Sequence, residues 1–381
     1  MPVNFTEDQI QSYQKEDKTE ASLSVMEKIN AFLLNFTRVP LKEKLFFVQH
    51  LKVMLHAGIS LSKAITTLAD QTTNKRFQGI LKDISGKVEK GKSFGESLSL
   101  YHDVFGEMFI SMVEAGEISG KLEEVLEEIF IQMKKEHKLI SKIKGALTYP
   151  TVIIVVMFGI GVFMFMVIIP KITAMFAELK AELPLPTKIL IKVSDTLANH
   201  GLISALVFIL SVSLFIKIIH TEKGKYYFQA FLLKIPGIGP IIKKVNLARF
   251  SRNVSSLLQT DIPIIKTFQI TAKVLGNLHY RQALNDMSKK IKDGGKISDV
   301  INSYPKLFTP VVAQMVSVGE ETGELDNILV EVAEFYEEEV DQVMENLPSI
   351  IEPLLILVLG LGVGGVAVAI IMPMYSLSSA I

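Results

Sequence analysis

The chain has 381 residues, of which 49% are hydrophobic and 21% are charged, with 40 basic and 40 acidic side chains. This balance is too apolar for an ordinary soluble protein and too charged for a compact transporter, and the zero net charge gives no indication of nucleic-acid binding. The chain contains no cysteine, which excludes disulfides, thiolate nucleophiles and thiolate metal sites. A mixed protein with cytoplasmic and membrane-spanning parts is expected.

The chain begins with a polar arm, residues 1–40, whose start has neither the apolar core nor the small-residue cleavage site of a signal peptide. The N-terminus is therefore expected to stay in the cytoplasm. One apolar stripe within the arm predicts a short amphipathic helix, formed by Val25, Met26, Ile29, Phe32, Leu33 and Phe36. Such a helix is compatible both with docking on a helical bundle and with lying on the membrane surface.

Two stretches, residues 41–146 and 221–348, are predicted to form helical cytoplasmic domains. Apolar residues recur there at spacings of three and four, as in the run Leu122, Val125, Leu126, Ile129 and Met133. Because strand signals are scarce, the expected fold class is all-α, with two homologous helical bundles and three transmembrane helices. Each bundle should contain about five or six short helices and a long last helix that leads toward the membrane.

Three apolar stretches, residues 147–170, 201–220 and 349–374, are long enough to cross the bilayer as helices of about 20 residues. Lysine and arginine are concentrated before the first stretch and after the second, which places both flanks in the cytoplasm. The connection 171–200 and the tail 375–381 are then external. The sequence predicts a multi-pass membrane protein with a cytoplasmic N-terminus and an external C-terminus.

An internal repeat explains this topology. Adding 203 to a position in the first half reaches a similar residue in the second, so that GEISGKL from Gly116 corresponds to GEETGEL from Gly319. Other corresponding pairs are Phe47 with Phe250, Pro150 with Pro353 and Pro170 with Pro373. Two repeats, each a domain followed by a span, would place their domains on opposite faces of the membrane. The unrepeated second span returns the chain, so both domains are expected in the cytoplasm.

The repeated turns place similar residues at the same positions, namely Gly116, Glu117, Gly120 and Leu122 in the first repeat and Gly319, Glu320, Gly323 and Leu325 in the second. A tight turn accounts for the glycines, and Ser119 and Thr322 are expected to be the N-caps of the following helices. A turn does not by itself require Glu117 and Glu320 at the same place in both domains. These carboxylates are interpreted either as part of the turn or as ligands of a partner's basic residue or of a divalent cation such as Ca²⁺. Too few ligands are visible to predict a metal site.

Acidic residues mark two further candidates. The helix that contains Glu337, Glu338 and Glu339 is strongly acidic. It is interpreted either as a solvated face or as a surface for a basic partner, such as the segment from Lys134 to Lys144 of a second copy. Glu352 lies about one turn inside the third span and is either an interfacial acid or the coupling acid of a small membrane transporter.

Enzymatic machinery is not visible in the sequence. It contains no Walker A loop, HExxH or GxSxG motif, and the seven histidines are scattered. Neither catalysis nor a cofactor is therefore predicted. A membrane sensor with two helical domains is a third possibility beside a platform and a transporter, although no ligand-binding motif supports it.

From about Leu41 onward the chain resembles the inner-membrane platform proteins shared by type IV pilus assembly and type II secretion. The resemblance is carried by the two repeated turns, by Tyr149-Pro150, by LPLPT from Leu183 and by PGIGP from Pro236. It implies a platform that forms a homo-oligomer in the bacterial cytoplasmic membrane and binds membrane lipid. The implied partners are a hexameric secretion ATPase, pilin or pseudopilin subunits and other inner-membrane assembly proteins. By the same resemblance the candidate partner-binding residues are those of the two repeated turns, Gly116, Glu117, Gly120, Leu122, Gly319, Glu320, Gly323 and Leu325. No direct binding of nucleic acid is implied, and pilus assembly, protein secretion and DNA uptake all stay open.

Overall fold

The computed structural model describes residues 39–178 and 185–378. The amphipathic stripe predicted between Val25 and Phe36 lies outside these ranges. Every regular element within them is helical, which confirms the all-α prediction.

Seventeen α-helices and one π-helical turn make up the described part of the chain. The first eight helices and the turn are α1 Leu41–His56, α2 Leu61–Gln71, α3 Lys75–Glu89, α4 Phe94–Ser99, α5 His102–Phe105, α6 Glu107–Ser119, α7 Leu122–Phe163, the π-turn Met164–Ile168 and α8 Ile169–Glu178. The remaining helices are α9 Leu185–Asn199, α10 Gly201–His220, α11 Glu222–Lys234, α12 Ile238–Gln259, α13 Ile264–Val274, α14 Leu278–Lys292, α15 Ile297–Ser303, α16 Pro310–Thr322 and α17 Leu325–Ser378.

Helix starts are repeated along with the sequence. The side chain of Asn74 accepts a hydrogen bond from the backbone N–H of Phe77 at 3.0 Å and caps α3. Asn277, which is 203 residues later, accepts from the N–H of His279 at 3.0 Å and caps α14. Asparagine is a preferred N-cap because its side-chain oxygen satisfies an N–H that has no partner within the helix. The repeat therefore extends to the hydrogen bonds that start its helices.

The described helices belong to two compact units. The first contains the described residues up to Lys135 together with the segment 253–274. Its core has an aromatic centre in which the ring of Phe77 lies 5.7 Å from that of Phe47 and 6.0 Å from that of Phe105. Rings at these separations gain energy beyond the burial of their area. The aromatic centre fixes α1, α3 and α5 to one another.

The segment 253–274 is part of the second repeat by sequence but packs within the first unit. Its side chains Leu257, Ile262 and Ile270 are buried in the same apolar cluster as Phe47. Helix α13 packs against α6. Charged pairs surround this contact, namely Lys121 with Asp261 at 2.9 Å, Lys273 with Glu107 at 2.7 Å and Lys266 with Glu114 at 3.7 Å. The core of the first unit thus uses residues from both repeats.

The second unit contains residues 136–252 and those from Leu275 onward. Its bundle packs around Tyr280 and Phe308, whose rings lie 5.5 Å apart. Tyr280 is fully buried, and its hydroxyl donates to the carbonyl oxygen of Leu307 at 2.7 Å. A buried tyrosine needs such a partner because an unpaired hydroxyl would lose its hydration without compensation.

Helices α7, α10 and α17 are long and apolar enough to cross a membrane. Their apolar side chains are exposed on the protein surface, as Phe158, Leu210 and Leu361 illustrate. Such a surface fits lipid rather than water. Helices α7 and α17 each continue from a helical bundle into the apolar stretch, whereas α10 has no such extension. The residues at which the spans meet the membrane surfaces stay predictions.

Within the connection predicted between the first two spans, residues 185–199 form helix α9. This helix packs beside the π-turn, α8 and α17. Two of its hydroxyl side chains, Thr187 and Ser194, are buried. The hydroxyl of Ser194 donates to the carbonyl oxygen of Phe165 in the π-turn at 2.6 Å.

Candidate partner-binding turns

The two repeated turns end helices α6 and α16 in the same way. Gly120 and Gly323 adopt the left-handed conformation, with φ of 71° and 76°. The N–H of Lys121 then donates to the carbonyl oxygen of Gly116 at 2.8 Å, which satisfies a carbonyl at the end of α6. Glycine adopts this conformation without the steric cost that a Cβ would add. The final glycine of each turn is therefore required by the backbone.

The first glycine of each turn is required by close packing. A Cβ on Gly116 would lie 2.8 Å from a methyl carbon of Val125, and one on Gly319 would lie 3.0 Å from the Cα of Leu325. Contacts this short force a shift of the neighbouring helix. Gly116 and Gly319 thus let α6 and α16 approach the long helices that follow them.

The repeated glutamates hold the start of a short helix. The two carboxylate oxygens of Glu117 accept hydrogen bonds from the N–H groups of Phe94 at 2.8 Å and Gly95 at 3.0 Å. They thereby satisfy two donors at the N-terminus of α4, where the helix dipole also favours a negative charge.

Glu320 does the same for α15 in the second repeat. It accepts from the N–H of Ile297 and, at 2.9 Å, from that of Ser298. Glu320, Ile297 and Ser298 are each 203 residues after Glu117, Phe94 and Gly95, so both carboxylates hold the same two backbone N–H groups of the repeat. This geometry supports the structural interpretation of both glutamates, because each carboxylate oxygen already accepts a backbone hydrogen bond.

The prediction that Ser119 and Thr322 are N-caps is wrong. The hydroxyl of Ser119 donates back to the carbonyl of Ala115 at 2.8 Å, and that of Thr322 donates to the carbonyl of Val318 at 2.9 Å. Each residue is instead the last residue of the preceding helix, because the glycine that ends this helix in the left-handed conformation comes one position later. A hydroxyl in a final turn bonds to the preceding carbonyls instead of the following helix.

The outward side chain of the first turn is Ile118, which is 89% exposed. Its counterpart in the second repeat is the exposed Glu321. Of the predicted candidates, Leu325 is buried and Leu122 half-buried, so neither forms the outer surface of its turn. Sequence reasoning missed Ile118, although an apolar residue opposite a charged one in the repeat was the available signal.

The acidic stretch of α17 is paired within the chain. Glu337 forms a two-point contact with Arg252, at 2.7 Å to Nε and 3.1 Å to a terminal nitrogen. The side chain of Arg252 is only 9% exposed, and a planar two-point contact is the strongest geometry open to it. Glu339 bonds Lys244. Glu338 points outward and is exposed.

A second layer of charges lies closer to the third span. Lys142 contacts Asp341 at 2.8 Å and Glu345 at 3.3 Å, and Lys138 contacts Asp341 at 3.2 Å. Burial opposes the ionisation of Asp341, but the hydrogen bonds from both lysines outweigh it and lower the pKa of this carboxyl. The acidic helix therefore meets the basic segment that was predicted to pair with it from a second copy, but the segment belongs to the same chain.

Apolar contacts join the three helices that carry these charges. Leu139 of α7 and Val340 and Met344 of α17 are buried together. Half-buried side chains packed around them include Ile241 and Val245 of α12. Charge pairs at the rim of an apolar seam fix which helix faces meet. We call this arrangement of α7, α12 and α17 the juxtamembrane stalk.

One further acid of the stalk, Glu136, is half-buried. Glu136 contacts Arg249 at 2.7 Å. Burial raises the pKa of Glu136, and the neighbouring Glu337 adds to this effect, while Arg249 opposes it. Two arginines and two glutamates thus alternate on α7, α12 and α17.

Glu352 lies in α17 and is exposed on the surface of its apolar stretch. Among the described residues no group of three or more histidine, aspartate or glutamate side chains is placed to hold a metal ion.

Comparison with known proteins decides the family. The sequence profile of type II secretion system protein F matches residues 47–170 and again residues 250–373. The chain belongs to this family. The two matched ranges are offset by 203 residues, which is the repeat found in the sequence.

Relatives from both kinds of system resemble the chain over most of its length. It is 36% identical to the type IV pilus assembly protein PilC of Thermus thermophilus over 340 residues, which are 88% of this chain and 83% of that protein. It is 33% identical to PilC of Myxococcus xanthus, over 89% of this chain and 81% of the relative. Type II secretion system protein F of Aeromonas hydrophila is 26% identical over 94% of this chain and 92% of its own length. The chain is thus a membrane protein of the pilus-assembly and type II secretion class.

Proposed function

We propose that the chain is the inner-membrane platform of a type IV pilus or type II secretion machine and couples a cytoplasmic hexameric ATPase to the assembly of pilin or pseudopilin subunits. In this role it forms a homo-oligomer in the bacterial cytoplasmic membrane. Both bundles and the N-terminus lie in the cytoplasm, and the C-terminus is external. The names of the relatives and the basic flanks of the first two spans support this assignment.

The observation that carries the proposal is the continuity of α7 and α17. Each begins at a repeated turn and continues, as one helix of 42 or 54 residues, into an apolar stretch long enough to span a membrane. Each is continuous in its backbone, and Pro150 in α7 and Pro353 in α17 each remove one hydrogen bond from the ladder. The remaining backbone hydrogen bonds resist stretching, so the helix transmits displacement along its axis. A partner that moved a turn would therefore move the span attached to it.

Ile118 is the proposed contact point for the ATPase on the first turn. Covering a large apolar side chain that is 89% exposed would contribute favourable free energy to the binding of a partner. The glutamate and glycines beside it are used in holding α4 and α7, so they keep the turn rigid. A rigid turn that presents one apolar side chain binds a partner with little loss of conformational entropy.

The decisive experiment measures hydrolysis by the matching secretion ATPase with and without the full chain in lipid vesicles. We expect stimulation by the chain and no hydrolysis by the chain alone. Ile118→Glu, which introduces the charge found at Glu321, should reduce the stimulation at least about fivefold if one apolar anchor contributes about 1 kcal/mol or more. Val311→Glu is the control, since Val311 is 57% exposed on α16.

Each contrary outcome has a definite meaning. Hydrolysis by the chain alone would show that it is an enzyme. No binding or stimulation in lipid would remove the coupling role and leave the transporter with Glu352 as the next reading. Equal loss in Ile118→Glu and Val311→Glu would move the contact away from the turn while keeping the platform.

A further inference from the structure

Helix α11 follows the second span through a tight corner. The span helix α10 ends at His220, and Thr221 caps α11 by accepting from the N–H of Gly224 at 3.1 Å. A Cβ on Gly224 would overlap the carbonyl oxygen of Ile218. The chain can therefore turn sharply here only because residue 224 is glycine.

The corner brings α11 back alongside the end of the span. The ring of Phe228 meets the ring of Phe215 edge-on, with 6.4 Å between ring centres. Phe215 lies five residues before the end of α10, which is about 8 Å into the span at the rise of an α-helix. Helix α11 thus lies beside the last turns of α10, at the C-terminal end of the second span.

One face of α11 is fixed on the second unit. Gln229 donates to the carbonyl oxygen of Gly276 at 3.2 Å and accepts from the N–H of Leu278 at 2.8 Å. At the far end, a Cβ on Gly239 would overlap the carbonyl oxygen of Leu233. The PGIGP segment therefore forms a second tight corner, and α11 is held at both ends and along one side.

The opposite face combines aromatic with basic side chains, and the ring of Tyr227 there meets the ring of the neighbouring Tyr226 edge-on at 5.8 Å. Tyr227 is 72% exposed and Phe231 is 61% exposed. Lys223 in the first turn and Lys234 at the last position are also exposed. At 100° per residue these four side chains lie within an arc of about 80°. Two rings in the middle of one face are thus flanked by a cation at each end.

We propose that this face of α11 binds the membrane surface at the end of the second span, with Tyr227 and Phe231 among the lipid chains and Lys223 and Lys234 on anionic phospholipid headgroups. The site would take glycerophospholipids with a net negative charge. Aromatic rings favour the membrane interface because one part of that environment is apolar and the other is wet. Lysine stems reach past buried rings to place their ammonium groups at headgroup level.

Lipid is the chosen occupant because α11 is continuous with a span and lies level with its end. A soluble partner would have to displace bilayer from a surface only one residue from the span terminus. The pairing of exposed rings with lysines, without any exposed acid between them, also matches an anionic surface. The inference concerns lipid selection and does not depend on whether an ATPase binds the turns.

The absence of tryptophan from the chain allows a background-free test. Phe231→Trp and, as a second reporter, Tyr227→Trp are placed in the full chain in vesicles of phosphatidylcholine and phosphatidylglycerol at equal amounts. Bromine is carried on the acyl chains of one lipid at a time. The matched control is Phe335→Trp, because Phe335 is also aromatic, is 51% exposed and lies on α17 outside the spans.

We expect both α11 reporters to be quenched, Phe335→Trp to be unquenched, and brominated phosphatidylglycerol to quench about twofold more than brominated phosphatidylcholine. Replacing Lys223 and Lys234 by Gln should remove that twofold difference and keep the quenching. If the α11 reporters behaved like Phe335→Trp, the face would not be on the membrane and the proposal would fail. Equal quenching by the two lipids in the unmodified lysine background would refute the binding of anionic headgroups.

Discussion

The hydroxyl of Thr187 donates a hydrogen bond to the carbonyl oxygen of Ala369, 2.6 Å away. In a regular helix the carbonyl of Ala369 would accept from residue 373, which is Pro373 and has no N–H. Ser194 donates to the carbonyl oxygen of Phe165 in the same way. In the π-turn that carbonyl would accept from residue 170, which is Pro170 and also has no N–H. Helix α9 thus supplies donors to two carbonyls that the repeated prolines leave without an amide partner.

Removing these donors should weaken the packing of α9 on the spans. Thr187→Val keeps the shape of the side chain and removes the hydroxyl, and we expect a loss of about 1 kcal/mol in stability, with a similar loss for Ser194→Ala. Thermal unfolding of the full chain in lipid measures this. Thr196→Val is the control, since Thr196 is exposed and its hydroxyl donates to the carbonyl oxygen of Lys192 in the preceding turn of its own helix. A loss as large in the control would show that the two buried hydroxyls have no special role.

The capping glutamates should be interchangeable in effect between the repeats. Glu117→Ala and Glu320→Ala each leave two backbone N–H groups without their acceptor, so we expect each to cost about 2 kcal/mol in the free energy of unfolding. Glu124→Ala, at an exposed position on α7, should cost less than about 0.5 kcal/mol. Chemical unfolding in detergent measures all three.

The same variants decide between a cap and a cation site. Because both oxygens of Glu117 are already used, millimolar Ca²⁺ should leave the melting temperature of the unaltered chain unchanged. A Ca²⁺-dependent rise that Glu117→Ala abolishes would show that the carboxylate is a metal ligand.

Neutralising Glu337 of the stalk should lower the free energy of unfolding far more than neutralising its neighbour Glu338. Glu337→Gln leaves the buried guanidinium of Arg252 without its two-point partner, and we expect a loss of about 3 kcal/mol. Glu338→Gln should stay within about 0.5 kcal/mol, because that side chain is exposed. Unfolding measured for the pair of variants tests the difference. Equal losses would mean that the pairing of Arg252 with Glu337 does not stabilise the stalk.

Alkaline pH should destabilise both bundles through a repeated tyrosine. Burial and a hydrogen bond to Asp83 raise the pKa of Tyr101 to about 12, and burial and a hydrogen bond to Asp286 raise that of Tyr304 to about 12. An unfolded tyrosine ionises near pH 10. The stability that the protonated hydroxyls of Tyr101 and Tyr304 contribute is therefore complete below about pH 10 and is lost as the pH rises toward 12.

In the double variant Tyr101→Phe and Tyr304→Phe, the melting temperature should fall less steeply above about pH 10 than it does in the unaltered chain. Melting temperatures at a series of alkaline pH values give this comparison, and the absorbance of ionised tyrosine follows the titration. The exposed Tyr227→Phe serves as the control. If the double variant lost stability as steeply as the unaltered chain, another group would be responsible.

Sequence periodicity and the 203-residue offset were sufficient to predict two helical bundles and three spans. The same offset could also have revealed the hydrogen bonds of Tyr101 with Asp83 and of Tyr304 with Asp286, since all four residues correspond. Applying a repeat to polar residues as well as to apolar ones finds such pairs.

Other contacts could not be read from sequence because they join distant positions. Nothing local to Glu117 identifies the N–H groups of Phe94 and Gly95 as its partners, more than twenty residues earlier. The charge pattern indicated a basic partner as one interpretation of the acidic helix, but charge alone does not distinguish Lys142 of the same chain from Lys142 of another. The folding of α7 beside α17 makes that distinction.

The segment 253–274, whose Leu257, Ile262 and Ile270 fill the core of the first unit, has a consequence for how this protein arose and how it can be divided. A simple duplication would give two self-sufficient halves, yet here the interior of the first half is complete only when the segment 253–274 of the second has been made. A fragment that stops before Asn253 would expose an apolar cavity where these side chains belong and would lose the partners of Glu107 and Glu114. The first half thus depends on a segment of the second, so supplying that segment in trans should restore it.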